Sequence, residues 1–327
     1  MRPGSRWLIL FCLVFAGEII FSLPFHITRF FRYTFLEVFG FSNAELGDIF
    51  AVYGILALLA YFPGGAIADH FSARKLMSLS LLATAIGGLF MAQVPGFWAM
   101  AILFGYWGLT SILLFWAALI KTTREWGGEF KQGSAFGILD GGRGLIAAMA
   151  ASVAVWLLAM LMPADLETLT PAQREYALQS VIYFYSLMTL LAAILVWFIV
   201  PHSDMNAVVR VPVWQGISDV IRKPAVWLQA VIIICAYSAY KALDNYGLYA
   251  QVAFNMSELE AAEFVTNGAY LRPVAAIITG FIVDRFVASR VIAVFFAVLA
   301  ASYAVLAFAP VSGFALHYLY ANIIVTF

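Results

Sequence analysis

Apolar residues run through this chain in blocks of about 20, the length a helix needs to cross the hydrocarbon core of a bilayer, and short polar stretches separate the blocks. The blocks fall near 6–30, 45–69, 76–94, 97–121, 134–161, 178–200, 225–251, 261–284 and 288–309, and a tenth begins near 312. This pattern predicts an all-α polytopic membrane protein. The opening Met1-Arg-Pro-Gly-Ser-Arg6 is too short for a signal peptide, and Trp7 to Ile20 continues into the first block with no small-residue cleavage site, so the first helix is expected to be retained.

Two connections are longer than the rest, one from Pro163 to Ser180 and one from His202 to Lys223. The second follows the sixth block, contains Pro201, Pro212 and Pro224 at or between its ends, and carries Val213 to Arg222, a stretch able to form a short amphipathic helix at the interface. It divides the chain into a six-helix unit over 1–200, a linker over 201–224 and a second unit over 225–327. A short motif occurs in both units. Gly65-Ala-Ile-Ala-Asp69-His70-Phe71-Ser72-Ala73-Arg74-Lys75 returns as Gly280-Phe-Ile-Val-Asp284-Arg285-Phe286-Val287-Ala288-Ser289-Arg290, an offset of 215 residues. An offset of that size spans a bundle of helices, as in the internal repeats of secondary transporters. On this register the second unit stops within helix ten, so the sequence reads as a fragment or a truncated form.

Composition agrees with a membrane protein, at 64% hydrophobic and 11% charged residues. The distribution of basic residues sets the orientation. With the N-terminus in the cytoplasm, Arg2, Arg6, Arg74, Lys75, Lys121, Arg124, Lys131, Arg210, Arg222, Lys223, Arg285 and Arg290 lie inside, and Arg29, Arg32 and Arg174 lie outside. Trp98, Trp126, Trp156 and Trp227 fall near block ends and read as an interfacial belt. Cys12 and Cys235 sit inside apolar blocks and give neither a disulfide framework nor metal-ligand spacing. His26, His70, His202 and His317 are scattered singly, and no nucleotide-binding loop, Cys/His cluster or Ser/His/Asp arrangement is recognisable. The expectation is a protein that is not an enzyme, with no cofactor, no metal and no nucleic-acid partner.

The duplicated Gly-x-x-x-Asp-Arg/His-x-x-x-Arg loop, six spans per half and the central linker resemble the major facilitator superfamily across the whole chain. The first copy carries His70 where that family usually has Arg and Ser72 where it usually has Gly. A narrower similarity, at Phe115-Trp-Ala-Ala-Leu-Ile-Lys121-Thr-Thr-Arg124-Glu-Trp126 and Gln132-Gly133-Ser-Ala-Phe-Gly137-Ile-Leu-Asp140-Gly-Gly-Arg143-Gly144, is to a bacterial branch of sulfoquinovose-type and other sugar-acid carriers. Glu37 to Gly47 is more distantly similar to organophosphate/phosphate antiporters. The resemblance implies two pseudo-symmetric six-helix bundles in a bacterial inner membrane, acting as a monomer by alternating access. It also implies a conformational latch formed by Gly65, Asp69, Arg74, Gly280, Asp284, Arg285 and Arg290. By the same analogy the partner of Asp69 lies on helix eleven. A carboxylate at either loop can pair with Arg74 or Arg290, or with the N-terminus of a helix in the opposite half. A charged loop that merely anchors topology is the plainer alternative.

Ionisable groups inside spans cost about 2.5–3.5 kcal/mol each at a helix centre, so they mark candidate chemistry. Glu18, Ser22, His26 and Arg29 share a face of the first helix, which Pro24 interrupts. Glu18 is a proton-coupling candidate, or a protonated partner in a helix–helix hydrogen bond. Asp140 and Arg143 are spaced to neutralise one another, as are Lys241 and Asp244; both carboxylates are further coupling candidates. Arg272 has no acidic neighbour on its own helix, and Pro273 loosens the adjacent turn. With Arg143 and Lys241, and with His26 and Tyr240, it is a candidate for binding the negative group of a solute between the two halves; Glu18 or a backbone carbonyl is the alternative partner. Lys121 and Arg124 read as snorkelling residues. The expected function is secondary transport of a small, polar, anionic organic solute, with a coupling proton or a counter-anion. A non-transporting solute sensor with the same fold is the alternative.

Overall fold

The computed structural model describes residues 3–129, 131–162, 170–202, 221–243, 246–256, 264, 268, 270–308 and 313–326. Among these residues every regular element is a helix: α1 Pro3–Ile19, α2 Ile27–Phe30, α3 Arg32–Phe39, α4 Asn43–His70, α5 Ala73–Met91, α6 Phe97–Leu109, α7 Ala117–Gly127, α8 Gln132–Leu161, α9 Pro171–Ile199, α10 Pro224–Ala242, α11 Tyr246–Phe254, α12 Leu271–Arg285, α13 Ala288–Phe308 and α14 Gly313–Thr326. Two π-helical segments, Ser22–His26 and Thr110–Trp116, join α1 to α2 and α6 to α7. Among the described residues, seven helical runs, with Phe97–Gly127 taken as one, are long and apolar enough to cross a membrane, and an eighth is formed if the pair Arg6–Ile19 and Ser22–Phe30, bent by 41°, counts as one span. Most of the linker, including the amphipathic stretch from Val213, lies outside the described residues, as does Asp244.

The chain forms two compact units, one of Met1–Trp126 with Met149–Arg210 and the other of Gly127–Ala148 with Val211–Phe327. In the first, α4 packs on α6 and α5 packs on α9. Its surface is inverted relative to a water-soluble domain, with Leu58, Phe62, Ile102 and Phe198 at least 60% exposed, as expected where lipid rather than water is the solvent. In the second unit, α14 packs on α12 and α13, and Tyr246, Ala250, Phe264, Leu319 and Ile323 form an apolar core.

Two helices start earlier than hydropathy alone suggests. At α4, Ser42 Oγ accepts the Glu45 amide at 3.2 Å while the Glu45 carboxylate accepts the Ser42 amide at 2.7 Å. At α9, Thr170 and Gln173 make the same reciprocal pair at 3.3 and 3.0 Å, with Pro171 in the first helical position. The predicted loop to Ser180 is therefore helical from Pro171 onward, because a capping box satisfies amides that an uncapped end leaves open.

Around the π-helical segment 110–116, side-chain donors bond backbone carbonyls. Ser80 donates to the Thr110 carbonyl at 2.5 Å and Ser111 donates to the Trp107 carbonyl at 2.6 Å. Tyr53 and Ser111 hydroxyls meet at 2.7 Å, and the buried Trp107 indole donates to the Thr84 carbonyl at 3.2 Å. Such hydroxyl partners are how a break in a helix is tolerated where no water reaches.

Candidate functional site

The second unit brings four of the sequence-predicted residues together. The first part of α8 is lined by Gly133, Gly137, Gly141 and Gly144, and this face lies directly on α12. A methyl group at Gly137 would come within 2.7 Å of the Ala276 carbonyl, and one at Gly141 within 2.7 Å of the Pro273 carbonyl. Only a helix face without side chains allows that approach. The close approach sets the register in which Asp140 of α8 meets Arg272 of α12. Arg272 Nη2 donates to Asp140 Oδ1 at 2.6 Å and Nε donates to Oδ2 at 3.3 Å, a forked contact. Its Nη1 donates to the Tyr240 hydroxyl of α10 at 2.9 Å, and the guanidinium lies 5.2 Å from the Tyr240 ring centroid. Arg143 approaches the same Asp140 oxygen at 3.6 Å. Both arginine side chains are 13% exposed, whereas that of Asp140 is 44% exposed. Arg272 is thus partnered by Asp140. Its own helix offers no nearby acid, and Asp140 comes from another helix, 132 residues earlier in the chain. Lys241 follows Tyr240 on α10 and is partly buried.

Glu18 and His26 belong to the first unit. They face each other across the break in the first span, with His26 Nε2 and Glu18 Oε1 at 2.9 Å and the two residues 2% and 4% exposed. Ser22, between them, donates to the Ile19 carbonyl at 2.7 Å. The imidazole stands edge to face with Phe30 and with Tyr185 of α9, at 5.7 and 5.8 Å. His26 Nδ1 and the Tyr185 hydroxyl are both buried and have no hydrogen-bond partner among the described residues. A polar group removed from water is tolerated only with a partner, and the 41° bend brings His26 to Glu18.

The duplicated loops have different surroundings. Asp284, at the end of α12, accepts the Gly133 amide at 2.7 Å, the Ser134 amide at 2.8 Å and the Ser134 hydroxyl, closing the N-terminus of α8. Asp69 is 68% exposed and lies 3.6 Å from Lys121 of α7, whose ammonium donates to the Ala68 carbonyl at 3.0 Å. Lys121 thus caps the last turn of α4, where carbonyls lack intrahelical donors. Arg74 lies over Trp197 at 5.1 Å. Arg285 and Arg290 are exposed. Gly280 is crowded, its Cβ position 2.5 Å from the Gly133 carbonyl, while Gly65 has open space and Gly64 beside it meets the Leu113 carbonyl at 3.2 Å. At the same end of the first unit, Arg6 donates to the Trp126 carbonyl and the Trp126 indole donates to the Arg6 carbonyl, both at 2.8 Å. Sequence reasoning missed this clasp, because a tryptophan at a span end carries no mark of a specific partner.

The family model of the Major Facilitator Superfamily matches residues 6–327. The chain belongs to the major facilitator superfamily. As a superfamily member it is a multi-pass membrane protein with that family's all-helical fold. It is 29% identical over 262 residues to the inner membrane protein YqcE of Escherichia coli, an alignment covering 79% of this chain and 59% of YqcE. This superfamily chain therefore spans less than two thirds of that relative's length. Its fold is similar to that of the Escherichia coli fucose:proton symporter FucP, at a TM-score of 0.72 and 16% identity over 98% of this chain and 81% of FucP. It is also similar to the human organic anion transporter MFSD10, at 0.62 and 14% over 100% and 85%.

Proposed function

We propose that this protein is a secondary carrier of the bacterial inner membrane that moves a small, polar, anionic organic solute by alternating access. The observation that carries the anionic assignment is the convergence of Arg272 and Arg143, each 13% exposed, on one carboxylate that is 44% exposed. Two guanidinium groups meet at this carboxylate, and their planar donors suit carboxylate, phosphate or sulfonate. Tyr240 fixes the Arg272 fork from the other side, so the fork is pre-organised before a solute arrives. YqcE bears the name of an inner membrane protein, FucP that of a fucose:proton symporter and MFSD10 that of an organic anion transporter, which supports membrane, coupling ion and solute class in turn.

Proton coupling is assigned to the Glu18–His26 pair, two titratable groups in contact and shielded from water. A proton taken up there changes the charge of a bent helix, and differential stabilisation of two conformations is what couples ion to solute. The latch is assigned to Asp284 on the α8 N-terminus, a contact that exists only while those helix ends stay together. Arg6, Lys121, Arg124 and Arg74 cluster at one end of the first unit, which supports an N-terminus on the cytoplasmic side.

The test is uptake of labelled sugar acids, sulfonates and organophosphates by proteoliposomes, with Arg272→Gln in parallel. Saturable uptake abolished by that substitution is the expected result. Uptake of a neutral solute untouched by Arg272→Gln would overturn the anionic assignment, and binding without uptake would make the protein a solute sensor.

A further inference from the structure

The fork of Arg272 is already occupied. Its Nε and Nη2 edge is bound by the two oxygens of Asp140, and its Nη1 is bound by the Tyr240 hydroxyl. A solute carboxylate, phosphate or sulfonate seeking the same forked contact needs the edge that Asp140 holds. We infer that Asp140 is a resident counter-ion, displaced from Arg272 by the solute and restored when the solute leaves. The inference rests on the anion-carrier reading above and adds how that site admits and rejects solutes.

Three features of the site fit exchange rather than a fixed scaffold. Asp140 is the open member of the pair, 44% exposed against 13% for Arg272, so an incoming anion meets the carboxylate side first. Arg143 lies 3.6 Å from the same carboxylate, so Asp140 keeps a positive partner after it leaves Arg272. Tyr240 holds the guanidinium by hydrogen bond and by ring face, so Arg272 keeps its place while its partner changes. Charge is conserved through the exchange: the solute anion pairs with Arg272 and Asp140 pairs with Arg143.

The exchange also sets specificity. A neutral polyol of the same shape cannot replace Asp140, because its entry would break the forked Asp140–Arg272 ion pair and put no anion in its place. Rejection of neutral solutes then comes from the penalty of breaking the resident pair, not from pocket size. Asp140 is in this sense a specificity-determining residue.

The test is binding of gluconate, glycerol phosphate and isethionate to the purified protein, comparing wild type, Asp140→Asn and Arg272→Gln. Removing the competitor is expected to tighten binding of the preferred anion about tenfold or more, while Arg272→Gln abolishes it. Binding weakened or unchanged by Asp140→Asn yet abolished by Arg272→Gln overturns the exchange and leaves the anion site standing. Binding equal in all three proteins, or in none, overturns the anion site and the exchange with it. A second measurement uses the wild-type protein alone and so does not depend on folding of the Asn variant. Carbodiimide modification of Asp140, read by peptide mass spectrometry, is expected to rise at saturating anion as the carboxylate comes free of Arg272. Modification that falls or stays constant overturns the exchange.

Discussion

Asp284 and Gly133 are 151 residues apart in sequence and joined by a 2.7 Å hydrogen bond from the Gly133 amide to the Asp284 carboxylate. With the Ser134 amide at 2.8 Å, the carboxylate satisfies two of the amides that open the α8 helix. Replacing a capping carboxylate by alanine costs about 1 kcal/mol. Asp284→Ala is therefore expected to speed hydrogen exchange at residues 133–136 about fivefold to tenfold, since ~1.4 kcal/mol corresponds to tenfold in an equilibrium. Unchanged exchange there would mean that the contact does not hold the helix end.

The two glycines of the repeated motif are expected to differ in tolerance. A methyl at Gly280 meets the Gly133 carbonyl at 2.5 Å, whereas one at Gly65 meets nothing within 4 Å. Gly280→Ala should destabilise by about 1–3 kcal/mol, as overpacking does, and Gly65→Ala should lie within about 0.5 kcal/mol of wild type. Thermal unfolding of the two variants in the same detergent decides the matter, and equal effects would contradict the asymmetry.

Glu18→Gln preserves the shape and a hydrogen bond to His26 but removes the titratable carboxyl. Uptake driven by a proton gradient is expected to be lost while solute counterflow without a gradient persists. Glu18→Leu leaves the buried His26 Nε2 without its partner and should also reduce thermal stability, by about 1–3 kcal/mol. If collapsing the proton gradient, or the Gln substitution, leaves accumulation unaltered, the pair has no coupling role.

Lys121→Met removes the ammonium that meets the Ala68 carbonyl and Asp69 while keeping the apolar stem. A loss of about 1 kcal/mol is expected, typical of a single hydrogen bond to a charged donor in a partly exposed place. Lys121→Arg should recover most of it, measured as the difference in unfolding midpoint between the two variants.

The repeat and the spans were legible because polar residues punctuate long apolar blocks, and in a bilayer every such block must close its own hydrogen bonds. The first turns of α9 were also legible, since Thr170 and Gln173 stand at capping-box spacing, but a reading by hydropathy passes over polar residues that lie in a helix outside the hydrocarbon. Pairing was not legible. The three-residue spacing of Asp140 and Arg143 correctly brings them to 3.6 Å, yet the shorter contact of Asp140 is with Arg272 at 2.6 Å. That choice depends on how far α8 slides along α12, which the glycine face permits and no local pattern encodes. Glu18 and His26 share a face in an ideal helix, and their direct contact comes from the π-helical break, whose place Pro24 only hints at.

The clasp between Arg6 and Trp126 ties the start of the chain to a residue made 120 positions later. At roughly 5–20 residues per second the ribosome needs on the order of ten seconds to supply that partner. Through that interval the first span stays unfastened at its entry end while three more spans are inserted beside it. Membrane entry and final seating of the first helix are thus separate events in biosynthesis, and the second waits on the fourth span.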